Sequence, residues 1–129
     1  MAFNLAPLLC VRDVEACSRW YQHLLELTSG HGGPEYERLE RDGTVVLHLH
    51  RWDVGHHHGP FGDPGDRPYG NGVVLWVEIE DFDAAAQRAE DLRAVVRPRA
   101  AGGNTNFEIW VRDPEGYLVV LESPHGSAG

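Results

Sequence analysis

The chain has 129 residues, 42% of them hydrophobic and 24% charged, a balance that suits one folded domain with its own core and excludes a disordered chain or two independent domains. A formal net charge of −9, from 20 acidic and 11 basic residues, leaves no basic stripe for phosphates, so nucleic acid is not expected as a partner. No apolar run approaches the roughly 20 residues of a membrane helix, and the first residues meet Arg12 and Asp13 too soon for a secretion signal. A cytoplasmic protein with no membrane partner is expected, and Cys10 and Cys17, which lack a CxxC spacing, read as two buried thiols.

The first predicted element is a strand at "PLLCV", followed by a helix in "RDVEACSRWYQHLLEL" from Arg12. Val14, Cys17, Tyr21 and Leu24 fall at i, i+3, i+7 and i+10, the stripe that one helical face requires, and Asp13 stands where an N-cap accepts orphan backbone N–H groups. A hairpin, "YERLERDGTVVLHLH", comes next with Asp42-Gly43 at its turn. The Gly- and Pro-rich "RWDVGHHHGPFGDPGDRPYGNG" has few residues able to anchor a strand and reads as a long flap or linker, about 53–71.

The pattern then repeats. "GVVLWVEI" is a strand, and "EDFDAAAQRAEDLRAV" aligns with the first helix at a constant shift, Asp13 on Asp81, Val14 on Phe82 and Ala16 on Ala84. Phe82, Ala85, Ala89 and Leu92 form its apolar stripe, and Asp81 repeats the N-cap. A second loop, "RPRAAGGNTN", precedes a last hairpin, "FEIWVRDPEGYLVVLE", with Asp113-Pro-Glu-Gly116 at its turn. Each half, about 3–52 and 72–124, is therefore one strand, one helix and about three strands: an α+β fold of two βαβββ modules.

Two groups of residues carry candidate chemistry. "LHLHRWDVGHHHGPFG" holds five of the eight histidines. His48 and His50 alternate onto one strand face, and His56, His57 or His58 of the flap could complete a metal site with a carboxylate. Neutral imidazoles suit zinc, iron, nickel or copper, and a divalent zinc, iron, nickel or manganese ion is the cofactor on this reading; the competing reading is a solvated polar loop with no cofactor. The second group is aromatic: Trp52, Trp76, Phe107, Trp110 and Tyr117 lie on or beside strands, where rings give contact area for a planar or cationic ligand. Glu122 shares a strand face with Val120 and Leu118 and is placed to bind a ligand amine or to act as a base. Glu108 and Arg112 share a face and read as an ion pair of little weight.

The paired modules, "VRDVEACSRWYQHLLEL" and the closing "VRDPEGYLVVLESP" resemble the vicinal oxygen chelate superfamily, which groups glyoxalase I, bleomycin resistance proteins and extradiol dioxygenases. The resemblance implies curved mixed sheets that enclose a cavity, and a homodimer. It also implies four inward metal positions, which register here on Ala6, Val74, Val120 and either Leu47 or His48. Three of these side chains offer no donor, so the metal-free, ligand-sequestering branch is the expectation: a protein that binds an organic small molecule, antibiotic or metabolite, with Trp52, Trp76, Phe107, Trp110, Tyr117 and Glu122. The alternative is a metal-dependent lyase, isomerase or dioxygenase built on His48, His50 and His56–His58. Glu122 and His48 are the candidate catalytic groups.

Overall fold

A computed structural model describes residues 3–52 and 61–128. Its elements run β1 (Leu8–Val11), α1 (Val14–Leu25), β2 (Thr28–Ser29), β3 (Tyr36–Arg41) and β4 (Thr44–Arg51), then β5 (Val74–Glu78), α2 (Phe82–Asp91), β6 (Val95–Ala101), β7 (Phe107–Arg112) and β8 (Leu118–Glu122). The expected βαβββ order thus occurs twice. The chain divides into two compact units, Met1–Arg67 and Pro68–Gly129.

In the first unit the sheet order is β1-β4-β3-β2, with β1 parallel to β4 and the other pairs antiparallel. The apolar stripe of α1 buries Val14, Cys17, Tyr21 and Leu24 together with Val11, Leu39 and Leu49 of the sheet. Removing side chains of this size from water is the main source of the unit's stability, roughly 1.5–3 kcal/mol for each large one. Asp13 caps the helix as expected, its Oδ1 accepting from the Ala16 N–H at 3.0 Å. At the β3–β4 turn Asp42 and Gly43 have φ of 51° and 81°, the left-handed pair that a two-residue hairpin demands.

The second unit repeats the topology as β5-β8-β7-β6, with β5 parallel to β8. Phe82, Ala85 and Ala89 of α2 are buried along with Ile109, Val111, Val119 and Leu121. Three expectations change. Asp81 occupies the N-cap position, yet its side chain makes no capping bond: its backbone, at φ −89° and ψ 65°, departs from the extended conformation of Asp13 and does not carry the carboxylate back to the helix N–H groups. Leu92 lies past the end of α2, where Arg93 turns left-handed at φ 55°. Finally, the whole of "RPRAA" is not loop but the end of β6, an edge strand whose pairing with β7 is irregular between Arg97 and Ala100, a position where Pro98 is tolerated because no ladder depends on its missing N–H.

Asp113 explains "RDPEGY" in physical terms. Its buried carboxylate accepts from the backbone N–H groups of Glu115 at 2.8 Å and Tyr117 at 2.9 Å, so one side chain folds the whole turn into β8. The expected Glu108–Arg112 ion pair is absent: Arg112 donates to the Gly116 carbonyl at 2.9 Å, while Glu108 accepts from the Trp110 indole N–H at 3.1 Å.

Candidate ligand-binding faces

Each sheet has one face under its helix and one face away from it. In the first unit the register pairs Leu8 with His48, Cys10 with His50, Tyr36 with His50 and Arg38 with His48, which places all six on one face. Leu47 and Leu49 point the other way, into the core beneath α1. Of the two residues left open by the sequence, His48 is therefore the one opposite the helix.

Tyr36 organises this face. Its hydroxyl and His48 Nδ1 are hydrogen-bonded at 2.9 Å, its ring stacks on His48 with centroids 5.9 Å apart, and it leans on His50 at 5.7 Å. His50 is also held by the Phe61 ring at 5.0 Å and by a bond between its Nδ1 and the Arg51 carbonyl at 3.0 Å. Trp52 follows β4 directly and lies against Gly62. His56, His57 and His58 lie outside the described residues.

A metal held by the four positions that the resemblance implies does not fit this chain. Ala6, Val74 and Val120 carry no donor atom, and a single imidazole does not hold a divalent ion tightly. Among the described residues no group of three or more histidine, cysteine, aspartate or glutamate side chains is placed to share an ion.

On the helix side of the same sheet lies a carboxylate that no sequence pattern singles out. Glu37 is 3% exposed and sits beneath α1. Burial pushes its pKa up, but the bonds it accepts from the Ser29 hydroxyl (2.6 Å), the Gly32 N–H (2.9 Å), the His31 N–H (3.0 Å) and the Ser18 hydroxyl (3.0 Å) outweigh that, and the net shift is downward. Glu37 is thus a charged structural anchor that ties α1, β3 and the segment after β2 together.

In the second unit the face opposite α2 carries Trp76, Val120 and Trp110 in one row and Glu78, Glu122 and Glu108 in the next. Trp76 is 50% exposed and meets Trp110 edge to face at 6.1 Å. Arg97 stacks its guanidinium 4.2 Å over the Trp110 ring. Asn106 Nδ2 donates to Glu122 Oε2 at 3.0 Å and to the Ser123 carbonyl at 3.1 Å. Two of the aromatic candidates lie elsewhere: Phe107 stacks on Phe82 of α2 at 6.5 Å, on the helix side, and Tyr117 is buried against Tyr69 at 5.9 Å just before β8. The sequence singled out Trp76, Trp110 and Glu122, and the strand register brings them to one face; Tyr36 and Asn106 were missed, because neither has a pattern that distinguishes it from an ordinary strand residue.

Comparison with known proteins places this geometry in context. A model of the Glyoxalase/Bleomycin resistance protein/Dioxygenase superfamily matches residues 5–121. A lactoylglutathione lyase from Pseudomonas putida is 31% identical over 121 residues, covering 92% of this chain and 58% of that protein, so the chain spans little more than half the relative's length. Among solved structures, TioX from Micromonospora sp. ML1 matches with a TM-score of 0.72 at 18% identity, over 96% of this chain and 99% of that one. A lactoylglutathione lyase from Agrobacterium tumefaciens matches with a TM-score of 0.71 at 17% identity, over 100% of this chain and 98% of that one.

Proposed function

The chain belongs to the glyoxalase, bleomycin resistance protein and dioxygenase superfamily, and from that premise we propose that it binds a small organic molecule, an antibiotic or a metabolite, and holds it without the superfamily's four-ligand metal. The observation that carries this reading is the pair Trp76 and Trp110 on the face opposite α2, with half of Trp76 left exposed. A large ring kept in water at one end of an otherwise regular sheet costs solubility and contributes little packing; a flat ligand recovers that surface, roughly 25 cal/mol per Å² of apolar area covered. The work is done in the cytoplasm, consistent with Cys10 and Cys17 being buried and not joined in a disulfide. A homodimer belongs to the same proposal, supported by Phe3 and Leu5, apolar side chains 90% and 80% exposed.

The test uses protein made without a histidine tag. Acridine, a flat uncharged probe, is expected to bind, to quench the indole fluorescence and to weaken about tenfold on Trp76→Ala, the loss of one stacking ring. Elemental analysis is expected to find well under one transition-metal ion per chain. One tightly held ion per chain overturns the reading.

One observation favours a metal-dependent enzyme as the second reading: His48 and His50 share a face, and Tyr36 holds His48 through Nδ1. With its Nδ1–H donating to the Tyr36 oxygen, the imidazole presents Nε2 to an ion, the arrangement that outer-sphere partners commonly enforce. A divalent metal there, zinc, iron, nickel or manganese, would polarise substrate oxygens. This reading requires His48→Ala to abolish metal uptake and turnover while leaving the fold intact.

A further inference from the structure

The row Glu78, Glu122 and Glu108 breaks a rule of sheet design. Glu108 is paired with Glu122 across the antiparallel β7–β8 ladder, and Glu78 with Glu122 across the parallel β5–β8 ladder, so carboxylates on neighbouring strands stand side by side on one face. Like charges placed opposite each other destabilise a sheet, and among the described residues no lysine, arginine or histidine forms an ion pair with any of them. Local rules broken in this way tend to mark functional positions.

A second observation points the same way. Asn106 is 2% exposed, and its Oδ1 is buried with no hydrogen-bond partner. The orientation of the amide is fixed by its other end, since Nδ2 donates to two acceptors, Glu122 Oε2 and the Ser123 carbonyl; turning it over would set oxygen against oxygen. A Cβ at position 102 would collide with both Asn106 Oδ1 and Glu108 Oε2, so these two acceptor oxygens converge on one point, where the close approach admits only Gly102. The corner gathers acceptors from Asn106, Glu108 and Glu122 against two donors, Asn106 Nδ2 on Glu122 and the Trp110 indole N–H on Glu108, and neither reaches Asn106 Oδ1. A buried acceptor left without a donor costs about 1–3 kcal/mol.

Beside this corner, two residues along their strands and on the same face, stand Trp76 and Trp110. Trp110 already receives a cation on one side, the guanidinium of Arg97, which shows that its surroundings tolerate positive charge against the ring.

We propose that the face of the second sheet opposite α2 binds an organic cation, an ammonium or amine joined to a flat aromatic body, with Glu78, Glu108, Glu122 and Asn106 Oδ1 taking the charged N–H end and Trp76 and Trp110 the flat body. This rests on the ligand-binding reading above and adds the charge of the ligand to it. The ligand is held by charge, hydrogen bonds and stacking, and no bond is made or broken.

Three acridines of nearly one shape separate the two claims: 9-aminoacridine, a cation at mildly alkaline pH; acridine, neutral; and acridine-9-carboxylate, an anion. The expected order is cation above neutral above anion, with at least about tenfold between the first two, the scale of one charge-assisted hydrogen bond. In the double variant Glu108→Gln/Glu122→Gln the cation-to-neutral ratio is expected to fall to near unity, and the protein should melt no lower than wild type, because a repulsive pair has been neutralised. The net charge of −9 attracts any cation weakly, so the exposed pair Glu15→Gln/Glu90→Gln, one on each helix, serves as a control of equal charge and is expected to leave the ratio unchanged. Equal binding of all three acridines, or an equal fall in the control, overturns the cation site and leaves the aromatic reading standing. Failure of all three to bind overturns both.

Discussion

Glu37 is the residue whose environment has the clearest thermodynamic consequence. Its carboxylate is buried and accepts four hydrogen bonds, two of them from backbone N–H groups. Because its folded pKa is depressed, the stability it contributes is fully present above the ordinary carboxylate range and is lost as pH falls through the lower folded value. Wild-type stability in urea should therefore drop steeply across that acidic interval, while Glu37→Gln should start about 2–3 kcal/mol lower at neutral pH and lose less on acidification. Equal slopes for the two proteins would show that Glu37 is not the anchor. On the opposite face, Tyr36→Phe removes the hydroxyl that meets His48 Nδ1. It should cost about 1 kcal/mol and change the His48 tautomer populations seen in imidazole nitrogen NMR shifts. Neither Tyr36 nor Glu37 stood out in the sequence as "EYERLER", although simple alternation puts Glu37 on the face of Leu39 and so among core residues. What the sequence does not reveal is that Ser18 and Ser29, distant along the chain, arrive to satisfy the charge.

At the scale of elements, the two helix starts test how much a cap depends on the backbone that carries it. Asp13 and Asp81 occupy equivalent positions in the repeat, but only Asp13 makes the side-chain bond. Asp13→Ala should cost about 1 kcal/mol and Asp81→Ala only a few tenths, measured by thermal unfolding. The modules themselves were legible in the sequence because the helix stripes and the Asp-Gly and Asp-Pro-Glu-Gly turns carry their own periodicities. The orientation of His48 was not, and the reason lies in a β-bulge. Glu40 pairs with Val45 but Leu39 with Leu47, so Val46 is an extra residue in β4, whereas the β7–β8 ladder runs without a shift. Counting four residues from Gly43 and from Gly116 therefore reaches opposite faces, Leu47 toward α1 and Val120 away from α2. One inserted residue inverts every side chain that follows. β6 was hidden for another reason: Pro98 and the two glycines after it suggest a loop, and only its position at the edge of the sheet allows it to pair.

For the whole molecule, charge and surface make the remaining predictions. Among the described residues no helix is long and apolar enough to cross a membrane. Light scattering should give twice the mass of one chain, and Phe3→Ser/Leu5→Ser should shift that value toward the monomer if these side chains lie in the contact; a monomeric wild type removes the dimer from the proposal. The family was readable from sequence because two copies of one module over most of the chain are a far more specific signal than any single motif. The ligand was not, because the scaffold hosts many chemistries and the groups that would choose among them, Asn106 and the row of carboxylates, acquire meaning only from strand register.

The guanidinium parked on Trp110 has one more consequence. Tethered to the neighbouring strand, Arg97 behaves as a resident competitor whose effective concentration no free ligand matches at ordinary dose. A visitor to the side of the indole that Arg97 covers must first displace it, so the protein's affinity there is set partly by its own side chain. Trimming Arg97 to alanine should make the protein greedier for cationic aromatics.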